Sequence, residues 1–213
     1  MNDALIKEAR VEVKNDPKGR LSLPNRKKLW AEFKIQYNPD TGFAYKTKGL
    51  VKRYTLALSC VLKISNLWST YNVEAGNILK DLLKNIDKCL HGLISAEQLS
   101  DMCSKAYNFL QDVDSSVIDY MALCYAVLEL SDLMKFGESS AEDEDITDDD
   151  TQDDELDLGG WDTSYLISLS YTYSQEPNEQ KRIENTREYW LWYIDKFVEI
   201  YNSNEFEDLE TVK

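Results

Sequence analysis

The residues and motifs of common catalytic sites are scarce in this sequence. It contains one histidine, His91, and eight glycines among 213 residues. No G-x-x-x-x-G-K-[ST], G-x-G-x-x-G or G-x-S-x-G motif occurs, so phosphate-binding loops and nucleophile elbows have no basis here. A general base needs an oriented partner group, whereas His91 lies beside Leu90 and Gly92 at a predicted helix end. We therefore expect no catalytic residue, no cofactor and no enzymatic activity.

Metal-binding patterns are also missing. The four cysteines occur singly, without C-x-x-C spacing, and there are too few histidines to complete a zinc site. An EF-hand loop requires glycine at its sixth position. Frames that start at Asp143 and Asp148 place Asp148 and Asp153 there instead. We expect no dedicated metal site.

No stretch approaches the roughly 20 apolar residues that a membrane-spanning helix needs. Charges occupy the first 16 residues, where a secretory signal would need an apolar run. Single cysteines among apolar neighbours are typical of buried, reduced thiols. These features predict a cytoplasmic protein that does not contact a membrane.

The negative charge is concentrated in one place. The net charge of −15 is unevenly distributed: residues 1–63 carry +8 and the remaining residues outside 138–157 carry −11. Residues 138–157 carry −12, with twelve carboxylates and no Lys or Arg. We call residues 138–157 the acidic run. Like charges at this density repel one another, so the sequence predicts a solvated, flexible loop over residues 138–160. A dense negative patch of this kind can also steer a basic partner towards the protein.

Apolar residues recur at helical spacing through most of the chain and predict one all-α domain, residues 1–213, with a bundle of about seven helices. Ser95 and Gln98 form a capping-box pattern, Gly92 ends the preceding helix, and Asp162 caps a later one. The first predicted helix begins at Leu23-Pro24 and carries an apolar stripe as far as Tyr37. Residues 9–13 are the one possible strand.

The aromatic cluster at residues 189–193 is interpreted as part of the last helix. Trp190 and Tyr193 share a face with Phe197 and are expected in the core, because large apolar side chains at helical spacing usually pack there. Tyr189 and Trp192 lie to the sides of that face and are expected to be partly exposed, where aromatic residues can anchor an interface.

Nucleic-acid binding is not expected. A basic patch would require seven residues to share a surface: Arg26, Lys27, Lys28, Lys46, Lys48, Lys52 and Arg53. A chain with a net charge of −15 is nevertheless repelled overall by phosphate.

The order of residues in two segments resembles a known family. Residues 19–33, GRLSLPNRKKLWAEF, precede a predicted helix that contains residues 54–68, YTLALSCVLKISNLW. Together they resemble the start of the fifth numbered immunity family of bacterial polymorphic toxin systems. Arg26, Trp30 and Cys60 occupy the places of the family's arginine, tryptophan and cysteine.

The end of the chain carries the rest of the resemblance. Arg187, Trp190 and Trp192 match an arginine followed by a W-x-W helix, and the similarity covers most of residues 18–201. The matching residues are packing positions, so no functional site is transferred from them. The resemblance implies a non-enzymatic immunity protein of a contact-dependent inhibition system that binds a cognate toxin domain in the cytoplasm.

Charge suggests where such a contact would form. Many toxin domains act on nucleic acid and present basic clefts, so a basic nuclease domain is a candidate partner. An acidic loop can occupy a basic cleft in place of phosphate. The candidate partner-binding residues, inferred from charge and not from the family, are Asp148, Asp149, Asp150, Asp153, Asp154 and Glu155.

Two other functions fit parts of the sequence. An acidic helical adaptor or nucleic-acid mimic would bind several basic host proteins, whereas an immunity protein would bind one. A metal-dependent hydrolase that uses only carboxylates would need them on rigid elements, and here they cluster in a predicted loop. The sequence leaves open the oligomeric state and the toxin's activity.

Overall fold

Helices make up most of the molecule. The computed structural model describes residues 2–40, 44–65, 73–111, 118–137, 142, 151–157, 160–173 and 178–204. Within these residues lie α1 (Asp3–Asn15), α2 (Leu23–Ala31), α3 (Lys48–Lys63), α4 (Val73–Leu90), α5 (Ala96–Gln111), α6 (Ile118–Phe136), α7 (Thr163–Tyr173) and α8 (Glu179–Asn202). A short 3-10 helix, Asp153–Glu155, precedes α7. The all-α prediction is confirmed, with eight helices in place of about seven.

The extra helix is α1, and the possible strand over residues 9–13 is wrong. Leu5, Ile6, Ala9 and Val13 are buried at helical spacing, whereas Val11 is half-exposed. Asn2 caps the helix because its side chain accepts hydrogen bonds from the first backbone N–H groups. Val11 and Val13 therefore lie on different sides of one helix.

Helix ends follow the sequence signals closely. The Ser95 and Gln98 side chains each bond the other's backbone N–H, at 3.2 and 2.9 Å, which is the predicted capping box. Gly92 has φ of +71° after α4, where a left-handed residue ends a helix. Asp162 caps α7 by accepting from the Ser164 backbone N–H at 2.8 Å. Helix α2, however, ends at Ala31, well before Tyr37.

The core is organised around α8 and α3. Helix α8 packs against α1 and α7, and α3 contacts α6, α7 and α8. Trp190, Tyr193 and Phe197 are fully buried on α8, as predicted. Tyr189 is also fully buried, so its predicted exposure is wrong, whereas Trp192 is half-buried. The Tyr189 hydroxyl donates to the Ser164 carbonyl at 2.9 Å, and this bond satisfies its polar end in the interior.

Two further sequence expectations concern the cysteines and membrane-spanning segments. All four cysteines are free thiols; Cys60, Cys103 and Cys124 are buried and Cys89 is half-buried. In the described parts of the chain, no helix is long and apolar enough to cross a membrane.

Candidate partner interface

Arg26 on α2 is completely buried and uses every N–H of its guanidinium. Nη1 donates to the Leu21 carbonyl at 2.8 Å and to Asp153 at 3.0 Å. Nε and Nη2 donate to Asp162 at 3.1 and 2.6 Å, and Nη2 also donates to Asp153. A buried arginine is tolerated when its five donors and its charge are matched. Two carboxylates and one carbonyl meet that condition here.

The two carboxylates respond differently to burial. For Asp162, burial favours the neutral form, but the Arg26 charge and the bonds from Ser164 outweigh it and hold the pKa below its ordinary value. For Asp153, burial outweighs the attraction of Arg26 and raises the pKa. Despite its burial, the pKa of Arg26 is raised by the same two carboxylates, so this side chain stays charged.

The Trp30 ring is close to Arg26 and to a second buried arginine. Its ring centroid is 5.9 Å from Cζ of Arg26 and 3.7 Å from Cζ of Arg53 on α3. The Trp30 Nε1–H donates to the Tyr193 hydroxyl at 2.8 Å, which orients the ring. Arg53 donates from Nη2 to Glu142 at 3.0 Å. The face of the Trp30 ring is thus close to both guanidinium groups, and its Nε1–H bonds a residue of α8.

Asp153 and Leu156 pack on this cluster, so the predicted solvation of the acidic run does not hold for these two residues. Asp153 is only 5% exposed, and Leu156 contacts Leu23 and Trp30. The Trp161 Nε1–H donates to the Asp153 carbonyl at 2.8 Å. Repulsion among carboxylates does not keep this part in solvent because a buried arginine offsets the charge of Asp153.

The six predicted contact residues fall into three groups. Asp148, Asp149 and Asp150 lie outside the described residues. Asp153 is buried, and its carboxylate accepts hydrogen bonds from Arg26. Asp154 and Glu155 lie at the surface of the 3-10 helix.

Asp154 belongs to a surface ion cluster. Arg20 donates to its carboxylate at 2.9 Å, and Lys18 lies 3.5 Å from it. The bond from Arg20 outweighs burial, which acts in the opposite direction, and holds the pKa of Asp154 below its ordinary value. Asp154 is 56% exposed, so solvent weakens its attraction to the two cations.

The basic patch considered from the sequence does not form. Arg26, Lys52 and Arg53 are buried, so only part of that set lies on the surface. The sequence signal that could have indicated a buried role is the position of Arg26 between Leu23 and Leu29, within an apolar helix face. Its partners are 127 and 136 residues away in sequence, which local patterns do not show.

His91 and the acidic residues form no metal centre where side chains are described, since no cluster of three potential ligands occurs there. His91 is exposed at the end of α4, with Nδ1 2.8 Å from the Asp87 carbonyl. This is the local helix-end contact expected for it.

The residues that carried the family resemblance meet in one region. Arg26 lies 5.1 Å from the ring centroid of Trp190, and Cys60 is buried beside Tyr189 with its pKa raised to about 12 by burial. Arg187 reaches the end of α1, where it donates to the Val13 carbonyl at 3.3 Å. Arg26, Cys60 and Trp190 are buried, as packing positions are, whereas Arg187 is half-buried.

Comparison with known proteins identifies the family. No curated protein matches the chain significantly. The model of one protein family, described as immunity protein Imm5, matches residues 6–200. This range contains all eight helices except the first residues of α1 and the last residues of α8. On this match, the chain belongs to the Imm5 family of immunity proteins.

Proposed function

We propose that this protein protects a cell by binding a cognate toxin domain directly and blocking it, without catalysis. The observation that carries the proposal is the family match over residues 6–200. The described structure fits a binding protein, because its buried polar groups are used to hold helices and loops together. The partner is a single toxin domain with a basic surface, and a nuclease domain has the right charge.

The acidic run is the part of the protein that we assign to this contact. It carries twelve carboxylates without a single Lys or Arg. A basic cleft shaped for phosphate attracts such a segment at long range. Asp148, Asp149, Asp150, Asp154 and Glu155 supply the charges in this assignment, and Asp153 holds the segment on the domain.

Co-expression with the toxin domain encoded beside it in the genome tests the function. We expect growth to be restored, and the two purified domains to bind with a 1:1 stoichiometry in calorimetry. Failure to protect and to bind would contradict the proposal. Tight binding to a panel of unrelated basic proteins would instead support the nucleic-acid mimic.

A variant in which five carboxylates of the acidic run are neutralised tests whether the run contacts the toxin. Asp148, Asp149, Asp150 and Asp154 are changed to Asn and Glu155 to Gln, which we expect to lower the association rate about ten-fold at low salt. Near 0.5 M salt, where the Debye length is about 4 Å, variant and wild type should converge.

The matched control removes five exposed carboxylates elsewhere, on α4, α5 and α8: Glu74, Asp81, Asp87, Asp101 and Glu184. If this control slows association as much as the run variant, the effect comes from net charge and not from the run. If neither variant differs from wild type at any salt concentration, the interface lies on the folded helices.

A further inference from the structure

A cavity of about 310 Å³ opens to the surface between α5 and α6. It is lined by small side chains from both helices: Ser100, Cys103 and Ser104 on α5 and Ser131 on α6. The three α5 residues are spaced by three and four positions, so they share one face of that helix. Side chains of this size do not fill the space between the helices, and the cavity reaches the lower end of the usual range for ligand pockets, about 300–1,000 Å³.

The serine hydroxyls at the cavity are hydrogen-bond acceptors. Ser104 Oγ donates its hydrogen to the Ser100 carbonyl at 3.0 Å, and Ser131 Oγ donates to the Leu128 carbonyl at 2.6 Å. A hydroxyl has one hydrogen and two lone pairs, so each oxygen keeps its acceptor capacity once its hydrogen is used. The cavity therefore favours a ligand group that donates hydrogen bonds.

Asp132 gives the cavity a negative charge. It is half-buried on α6 and is the one charged side chain among the described residues that line the cavity. Asp101 and Lys105 are exposed on α5 outside this lining. An ionised carboxylate accepts hydrogen bonds and offers no donor. The group that matches the lining is thus a cation with several N–H donors.

Tyr107 favours a guanidinium over an ammonium group. Its ring lines the cavity, is 39% exposed, and packs edge-on against Tyr125 with the centroids 6.4 Å apart. A guanidinium is planar, carries five donors and stacks on aromatic rings, whereas an ammonium is a compact, strongly hydrated charge. The Asn108 side chain also lines the cavity, and its amide oxygen is a further acceptor.

We propose that the cavity between α5 and α6 binds the guanidinium of an arginine side chain presented by a protein partner. Asp132 balances the charge, and the serine and Asn108 oxygens accept hydrogen bonds from the N–H groups. Arginine is frequent among the residues that dominate binding energy at interfaces, and a net charge of −15 attracts a basic protein. The identification of that partner as the toxin domain rests on the proposed function. The chemistry of the cavity is testable on the free protein.

A single-residue probe tests the cavity in the full chain. N-acetyl-L-arginine amide is titrated into the isotope-labelled protein at constant ionic strength, and backbone amide shifts are followed by NMR. We expect saturable shifts at Ser104, Asn108 and Asp132 with a dissociation constant of about 1–10 mM, as a small ligand with few contacts should give.

The matched probe is N-acetyl-L-citrulline amide, which has nearly the same shape without the charge. It should bind at least about ten-fold more weakly, because a hydrogen bond between charged groups is stronger than one between neutral groups. Equal binding of the two probes, or no saturable shift with either, would overturn the proposal.

Asp132→Asn removes the charge of the cavity and should weaken binding of the arginine probe at least about five-fold. Asp101→Asn removes the same charge from an exposed position outside the lining and should leave the dissociation constant unchanged. If both variants bind the probe as wild type does, or both are weakened equally, the protein responds to its net charge and Asp132 has no specific role.

Ser104 allows the space and the acceptors to be tested separately, since it is exposed and its replacement leaves the core intact. Ser104→Ala removes one acceptor and should weaken probe binding about two- to five-fold. Ser104→Leu also fills the cavity with an apolar side chain and should abolish the saturable shifts. Circular dichroism reports whether each variant folds. If Asp132→Asn loses helix content, Ser104→Leu decides the question, and unchanged binding there places the probe outside the cavity.

Binding to the toxin domain encoded beside the protein identifies the source of the arginine. Asp132→Asn and Ser104→Leu should each lower the affinity about ten-fold or more, and Asp101→Asn less than about two-fold. If the probe binds as expected but both variants keep wild-type affinity for the toxin, the arginine is not the toxin's, and the proposed function stands. If the wild-type protein does not bind the toxin domain, the proposed function is wrong, and the probe titration alone decides whether the cavity binds a guanidinium.

Discussion

Helix α8 and residues 151–157 both pack on Trp30, but they are held by different forces. Helix α8 contributes fully buried aromatic side chains, among them Trp190, Tyr193 and Phe197. Residues 151–157 contribute Leu156 and one buried carboxylate. Burial of apolar area stabilises the first region, and charge neutralisation stabilises the second. Substitution, pH and salt should therefore affect the two regions differently.

The largest effect is expected in the aromatic region. Trp190→Ala should lower the free energy of unfolding by about 3–5 kcal/mol, because it leaves a large cavity in a packed interior. Its Nε1–H has no hydrogen-bond partner in the described structure, so no hydrogen bond is lost with it. Trp192→Ala, at a half-buried position, should cost less than half as much. Urea denaturation measures both, and equal losses would contradict the helical phase of α8.

The charged region should respond to the loss of a single carboxylate. Asp153→Asn should lower the free energy of unfolding by about 1–3 kcal/mol, because Arg26 keeps Asp162 but loses one of its two countercharges. Asp154→Asn, one residue away and 56% exposed, is the control and should cost less than about 1 kcal/mol. Equal, small losses would show that apolar contacts alone hold residues 151–157.

Acid should weaken the charged region through Asp162. Because its pKa is lowered by folding, its contribution to stability is present above the ordinary aspartate pKa of about 3.9. That contribution is lost as the pH falls through the lowered pKa. Asp153, whose pKa is raised, acts in the opposite sense: its contribution is present below about pH 3.9 and is lost as the pH rises through the raised pKa.

The two variants should therefore change the acid dependence in opposite directions. Between pH 6 and 3, Asp162→Asn should make stability fall less steeply, and Asp153→Asn should make it fall more steeply. Urea unfolding at each pH measures the slopes. Identical slopes in both variants and wild type would mean that neither carboxylate titrates differently in the folded state.

The smallest effect is expected at the surface ion cluster. Arg20→Gln removes the bond to Asp154 and should cost less than about 1 kcal/mol in low salt. In 0.5 M salt this difference should disappear, because exposed pairs are screened. The loss at Trp190→Ala should persist at both salt concentrations. A salt-independent loss at Arg20 would indicate that its side chain stabilises the protein by packing.

The sequence was sufficient for features that depend on neighbours in the chain. Ser95 with Gln98, Gly92 and Asp162 were found from local chemistry, because caps act within about four residues. Helix α1 was missed because Val11 and Val13 also fit the two-residue period of a strand. Tyr189 was misplaced because its hydroxyl bonds the Ser164 carbonyl, which lies on another helix.

The ion cluster of Arg26 could not be predicted in the same way. Charge density correctly marked residues 138–157 as unusual, but it describes the average behaviour of a segment. It could not single out Asp153, whose environment depends on an arginine 127 residues earlier. Predicting a contact between residues far apart in the chain requires knowledge of the fold, which local sequence patterns do not provide.

The separation of these partners in sequence has a consequence during synthesis. Arg26 and Trp30 leave the ribosome early. Asp153 follows Arg26 by 127 residues, and Tyr193 follows Trp30 by 163 residues. Translation adds about 5–20 residues per second, so these partners are synthesised roughly 6–30 s later. During that time the side chains of Arg26 and Trp30, which are buried in the folded protein, remain in water. The interior between α2 and α8 closes only after the chain is nearly finished. Each newly made molecule therefore acquires its native arrangement only when translation is nearly complete.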